Sequence, residues 1–207
     1  MHIDKKAHKE EFLTLLRSTE REGVEDLIEE LERLGFFEAP ASAGHHLNEA
    51  GGLVLHSLNT CKAALAVWES MQKLEPWLAK EIERESVIIA SLLHDVCKSD
   101  IYKPTIRRQK NELGVWEDRP AWDVSYKSFP FGHGEKSVVM VLYGGITLTD
   151  AEMCAIRWHM GAWGLNFNSY EDQRSYDTAQ EVYPLVSIIH AADSLAAHLM
   201  ERTEESL

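Results

Sequence analysis

From Val87 to Leu93 the chain is apolar except for Ser91, and it then sets His94 and Asp95 side by side, followed by Val96, Cys97 and Lys98. A segment that is apolar on nearly every side reads as a helix inside the protein. A carboxylate buried in such a place is costly unless it is paired, hydrogen-bonded or metal-bound. Adjacent residues point about 100° apart on a helix. His94 and Asp95 can therefore serve one site only if other helices bring polar partners to them. The chain must fold around this pair.

The remaining histidines and aspartates in apolar surroundings are the natural partners. His56 lies in Gly51-Gly-Leu-Val-Leu-His56-Ser, and Asp193 in Ser187-Ile-Ile-His-Ala-Ala-Asp193. His133 opens an expected helix after Pro130-Phe-Gly, and His159 closes one in Ala155-Ile-Arg-Trp-His159. Imidazoles with carboxylates suit Mn, Fe, Zn, Ni or Co, and no thiolate set competes with them. The three cysteines, Cys61, Cys97 and Cys154, form no CxxC pair and read as small core residues. His190, one turn before Asp193, reads as packing support. The acidic clusters Glu25-Asp26, Glu29-Glu30 and Glu201–Glu205 read as solvated helix faces.

Hydrophobic spacing predicts an all-α architecture in one domain over 1–207. One or two helices are expected over 7–34, stopped by Gly35, and then a loop to Gly52. Further helices are expected at about 52–73, 80–98, 133–144, 149–161 and 178–202. Thr149 and Glu152 form a capping box for one of them. Residues 100–130 contain Pro104, Pro120 and Pro130 and the turn-like Asn111-Glu-Leu-Gly114. They read as a β-hairpin or ordered loop inserted in the helical domain. Residues 161–177 are polar and aromatic and are expected to form a loop at a site wall.

The ordered series His56, His94-Asp95, Asp193 resembles the H…HD…D signature of the HD superfamily of metal-dependent phosphohydrolases. With His133 and His159 it is similar to the H…HD…H…H…D order of binuclear members. Gly51-Gly-Leu-x-x-His56-Ser and the HDxxK extension ending at Lys98 are also family-like. Ala39-Pro-Ala-Ser42, His45-His46 and Gly51-Gly resemble the HD domain of bacterial 3′-to-5′ exoribonucleases and their stand-alone relatives. The likeness spans about 36–198, after N-terminal helices at 1–35, and lacks the OB-type nucleic-acid domain of those enzymes. No Gly-Tyr-Pro motif is present, which disfavours the cyclic-di-GMP branch. The resemblance implies an HD helical bundle binding two divalent ions through His56, His94, Asp95, His133, His159 and Asp193. Asp95 and Lys98 would be catalytic, and His45, His46, Lys136 and Arg157 would contact substrate. Lys136 follows a helix start, where backbone N–H groups favour anions.

A net charge of −13, from 21 basic and 34 acidic residues, argues against holding long nucleic acid, which requires many phosphates to be neutralised. It is compatible with a small phosphorylated substrate, a nucleotide or short oligonucleotide, whose charge bound metal offsets. Without a long apolar run or a signal-peptide core, a cytoplasmic protein with no membrane partner is expected. The expected reaction is phosphomonoester or phosphodiester hydrolysis. A diiron HD-type oxygenase and a nucleotide-binding HD module without turnover are the alternatives. The sequence leaves the oligomeric state open.

Overall fold

The computed structural model describes residues 3–45 and 47–202. It is mostly helical, with one small antiparallel sheet. Helices α1 (Lys5–Arg17) and α2 (Val24–Arg33) lead into a long α3 (Gly52–Leu74). A short α4 (Leu78–Glu81), α5 (Arg84–Leu93) and a short α6 (Lys98–Ile101) follow, and then strands β1 (Tyr102–Lys110) and β2 (Trp116–Val124). Helices α7 (His133–Tyr143), α8 (Asp150–Trp158), α9 (Tyr170–Val182) and α10 (Leu185–Leu195) complete the chain, with a π turn over Ala196–Met200. Among the described residues, no single helix is long and apolar enough to cross a membrane.

Local chemistry explains most of these boundaries. Asp4 caps α1 by accepting from the Ala7 N–H at 3.0 Å. In α2, the buried Val24, Leu27, Ile28 and Leu31 form one apolar stripe. Gly35 follows it in the left-handed region, φ 73°, the usual exit from a helix. Thr149 and Glu152 make the expected capping box at the start of α8.

The core packs α3, α5, α8 and α10 against one another, through residues such as Leu53, Leu58, Ile88, Leu92, Ile156 and Ile189. Phe12, Leu16 and Leu27 of the first two helices belong to the same buried cluster. Arg21 adds a polar tie. It forks onto the buried Glu152 carboxylate at 2.8 and 3.0 Å, and Ser86 donates to the same carboxylate at 2.7 Å.

The insertion is a hairpin in full register from Tyr102↔Val124 to Lys110↔Trp116. Asn111 Oδ1 accepts from the Leu113 and Val115 N–H groups, and Gly114 takes φ 75°, which closes the turn. The Trp122 indole N–H donates to the Asn48 carbonyl at 3.0 Å, tying the hairpin to the loop before α3.

Three expectations need correction. The helix expected over 80–98 is broken at Ile82 and ends at Leu93, so His94 and Asp95 lie just beyond it. There the bonding tightens to three-residue turns, with Val96 N–H to the Leu93 carbonyl and Lys98 N–H to the Asp95 carbonyl. The loop expected over 161–177 holds a 3₁₀ turn, Gly161–Gly164, and the first half of α9. Ser169 caps α9, and Glu171 and Asp172 sit in its first turn, where the helix dipole favours acids. It buries just one residue, Ala179, and so carries no apolar stripe for spacing to detect. Pro184 separates α9 from α10, so the single helix expected over 178–202 is two.

Candidate metal centre

Six side chains from five parts of the chain converge. His56 comes from the first turns of α3, His94 and Asp95 from the turn after α5, His133 from the first residue of α7, His159 from the end of α8, and Asp193 from α10. His56 Nε2 lies 3.3 Å from His94 Nε2, 3.4 Å from Asp95 Oδ2 and 3.1 Å from Asp193 Oδ1. His94 Nε2 is 3.3 Å from Asp95 Oδ2 and 3.8 Å from Asp193 Oδ1. On the other oxygen of Asp95, His133 Nε2 lies at 2.8 Å and His159 Nε2 at 3.5 Å. Asp95 therefore turns one oxygen to His56 and His94 and the other to His133 and His159.

Two glycines make the convergence possible. A Cβ on Gly52 would sit 2.1 Å from the Leu47 carbonyl oxygen, so this glycine lets α3 start tight against its preceding loop. A Cβ on Gly134 would sit 2.1 Å from the Arg157 carbonyl oxygen. Its absence lets the start of α7 press on the end of α8, which sets the His133 and His159 rings 5.2 Å apart.

All four imidazoles turn Nε2 inward because a partner holds Nδ1. His94 Nδ1–H donates to the Ser91 carbonyl and His159 Nδ1–H to the Ile156 carbonyl, both at 2.7 Å. A carbonyl only accepts, so the Nε2 of each neutral ring presents a lone pair. His56 Nδ1 is held by Glu201 at 3.0 and 3.1 Å, and Asn59 donates to the same carboxylate at 3.1 Å. His133 Nδ1 lies 3.0 Å from Cys97 Sγ. Outer partners of this kind fix the orientation of metal-binding histidines.

The centre is buried and strongly charged. His56, His94, Asp95 and His159 are at most 2% exposed. Burial pushes the Asp95 carboxyl upward, but the Lys98 ammonium 2.5 Å away and the surrounding imidazoles hold it well below the usual carboxylate range. Burial also opposes ionisation of Asp193, which its hydrogen bond to His56 and the other imidazoles keep low. Burial lowers the affinity of His56 for a proton, yet Asp193, Asp95 and Glu201 together raise it well above its ordinary value. For His133, burial is outweighed by Cys97 and Asp95, and its pKa rises to about 9.

These residues fit a metal ion. His56, His94 and Asp95 form one group whose ligand atoms lie within 4.8 Å of one another; His94, His159 and Asp193 form a second, and Asp95, His133 and His159 a third. His159 Nε2 is buried and has no hydrogen-bond partner among the described residues. An inward lone pair left alone at a carboxylate edge costs free energy that a cation would recover. The nitrogen and oxygen donors suit Mn, Fe, Co, Ni or Zn.

The other expected site residues are placed differently. Lys98 stands at the centre on Asp95. Arg157 pairs with Glu135 at 2.5 Å, stacks on Trp158 with its guanidinium carbon 3.8 Å from the ring centroid, and lines a cavity beside His133. Lys136 is buried, with its ammonium committed to Asp100 and to the Ser128 carbonyl, so it braces the loop before α7 instead of facing a substrate. His45 is exposed on the loop before α3, where its backbone N–H donates to Ser42 Oγ at 2.8 Å. His46 lies outside the described residues. His190 Nδ1–H donates to the His159 carbonyl at 2.7 Å, and so supports the turn that carries His159.

Sequence reasoning missed two residues of this centre. Glu201 reads as one of a run of surface acids but is 3% exposed, because the π turn folds it back onto His56. Cys97 reads as packing but contacts His133. No local pattern marks Glu201, whereas Cys97 sits two positions after Asp95, close enough to have been suspected. Compared with protein-family models, curated proteins and solved structures, the chain matches none.

Proposed function

We propose that this chain is a metal-dependent phosphohydrolase with an HD-type centre. The observation that carries the reading is the split Asp95 carboxylate, with His56 and His94 on one oxygen and His133 and His159 on the other. His56, His94, Asp95 and Asp193 would hold one divalent ion, and Asp95, His133 and His159 a second. Divalent ions bound there would supply charge to polarise phosphoryl oxygens and to lower the pKa of water to near neutrality.

The chain's own residues supply the rest. The Nδ1 partners keep four imidazoles aimed with Nε2 inward, which spares the site reorganisation during reaction. Lys98 neutralises part of the Asp95 charge and retains ammonium N–H donors for a phosphoryl oxygen. His133 and Asp193, whose side chains are 30% and 19% exposed, mark the open side through which a substrate would enter. The reaction is hydrolysis: the water oxygen bonds to phosphorus, the ester P–O bond breaks, and the leaving oxygen takes a proton.

The test is turnover of p-nitrophenyl phosphate and bis-p-nitrophenyl phosphate by protein loaded with Mn²⁺, Co²⁺ or Ni²⁺. Activity should vanish on chelation, return on reloading, and fall at least a hundredfold in Asp95→Ala. Full metal-dependent turnover in that variant overturns the proposal. Oxygen uptake by iron-loaded protein without phosphate release would favour the oxygenase alternative.

A further inference from the structure

We infer that the cavity beside His133 accepts a nucleoside carrying a single phosphate and discriminates against polyphosphates and oligonucleotides; this rests on the phosphohydrolase reading. The cavity is about 400 Å³ and adjoins the metal centre through His133. It falls within the range of about 300–1,000 Å³ usual for small-molecule sites. A mononucleotide fits that space, whereas an oligonucleotide would have to leave it.

Charge sets the selectivity. The wall carries Arg157 against two carboxylates, Glu135 and Asp172, and Arg157 already pairs with Glu135 at 2.5 Å. The other cations near the centre are also engaged, Lys98 by Asp95 and Lys136 by Asp100. One phosphate at the metal centre is neutralised there. A second or third phosphate would extend into a net-negative wall with its one guanidinium already paired, where like-charge repulsion opposes it. A neutral group avoids that cost.

The lining suits a nucleoside in that place. Trp163 at the rim is 89% exposed, an indole free to stack on a planar base. Met160 and Leu165 add apolar surface, and the Asn166 amide, whose Oδ1 accepts from the Asn168 N–H at 3.1 Å, offers its NH2 as a donor to a base edge. Glu135 and Asp172 accept hydrogen bonds, which sugar hydroxyls donate.

The experiment is equilibrium dialysis of Mn²⁺-loaded protein, at fixed free Mn²⁺, against adenosine 5′-mono-, di- and triphosphate and a (dT)₄ tetranucleotide, with phosphate release followed in parallel. The monophosphate should bind at least tenfold tighter than the triphosphate or the tetranucleotide. Asp172→Asn should shrink that preference at least threefold without changing metal content. Trp163→Ala, at an exposed position that leaves folding intact, should weaken binding of the monophosphate more than binding of inorganic phosphate. Equal or tighter binding of the triphosphate or tetranucleotide, an unchanged preference in Asp172→Asn, equal loss for both ligands in Trp163→Ala, or no nucleotide binding overturns the inference. Monophosphate preference without phosphate release leaves the inference standing and removes the hydrolase reading. Phosphate release from every nucleotide alike does the reverse.

Discussion

Glu201 shows how much a single outer residue can decide. Its carboxylate is buried against His56 Nδ1 and steadied by Asn59. It fixes which nitrogen of His56 faces the centre and makes that ring a stronger donor. Glu201→Ala should weaken metal binding about 10- to 100-fold, measured by competition with a chelator, and Glu201→Gln should recover part of the loss. The pH dependence follows from the histidines. In the metal-free protein His56 is raised well above its ordinary value and His133 to about 9, so both hold protons at neutral pH. A metal must displace those protons. Apparent affinity should therefore rise with pH up to about 9, and calorimetry in buffers of different ionisation enthalpy should detect proton release at pH 7. Stability of the metal-free protein runs the other way. The contribution of these raised histidines is fully present below their unfolded pKa, about 6.5, and is lost as pH rises through the folded values. The lowered Asp95 and Asp193 contribute above about pH 4 and lose that contribution as pH falls through their folded values.

At the scale of elements, the centre depends on how closely helix ends approach. Gly134 is the clearest case, since any Cβ there meets the Arg157 carbonyl oxygen of α8. Gly134→Ala should cost about 1–3 kcal/mol in denaturant unfolding, the usual scale for overpacking. It should also lower the metal bound per chain, because pushing α7 from α8 parts His133 from His159. Elements that carry a periodic stripe, a reciprocal capping box or a turn signal were legible in the sequence: α2 with its four buried residues and Gly35, α8 with Thr149 and Glu152, and the hairpin with its Asn111–Gly114 turn. Those without such a mark were not. Helix α9 is held by a cap and acidic first-turn residues with almost no burial. The end of α5 at Leu93 is set by turn bonding among residues whose burial continues unbroken to Cys97.

Across the whole molecule, the turn between α1 and α2 is tied to the start of α8 through an ion pair whose carboxylate is fully buried. Arg21 reaches 131 positions along the chain to Glu152, which is fully buried and also caps α8. Arg21→Ala strands that carboxylate with Ser86 and the Thr149 N–H as its remaining partners. The expected cost is about 3 kcal/mol by thermal or denaturant unfolding, with metal affinity little changed, because removing one member of a buried pair leaves an uncompensated charge. The sequence by itself marked four residues of the centre, His56, His94, Asp95 and Asp193, since ionisable side chains in apolar stretches cannot be buried without mutual partners. Only the tertiary structure decided how they are used. The division of the Asp95 oxygens, the Glu201 and Cys97 contacts, and the withdrawal of Lys136 onto Asp100 all join residues 36 to 145 positions apart. Such contacts leave no periodic trace along the chain, because they arise from where helix ends meet and not from the repeat within any one helix.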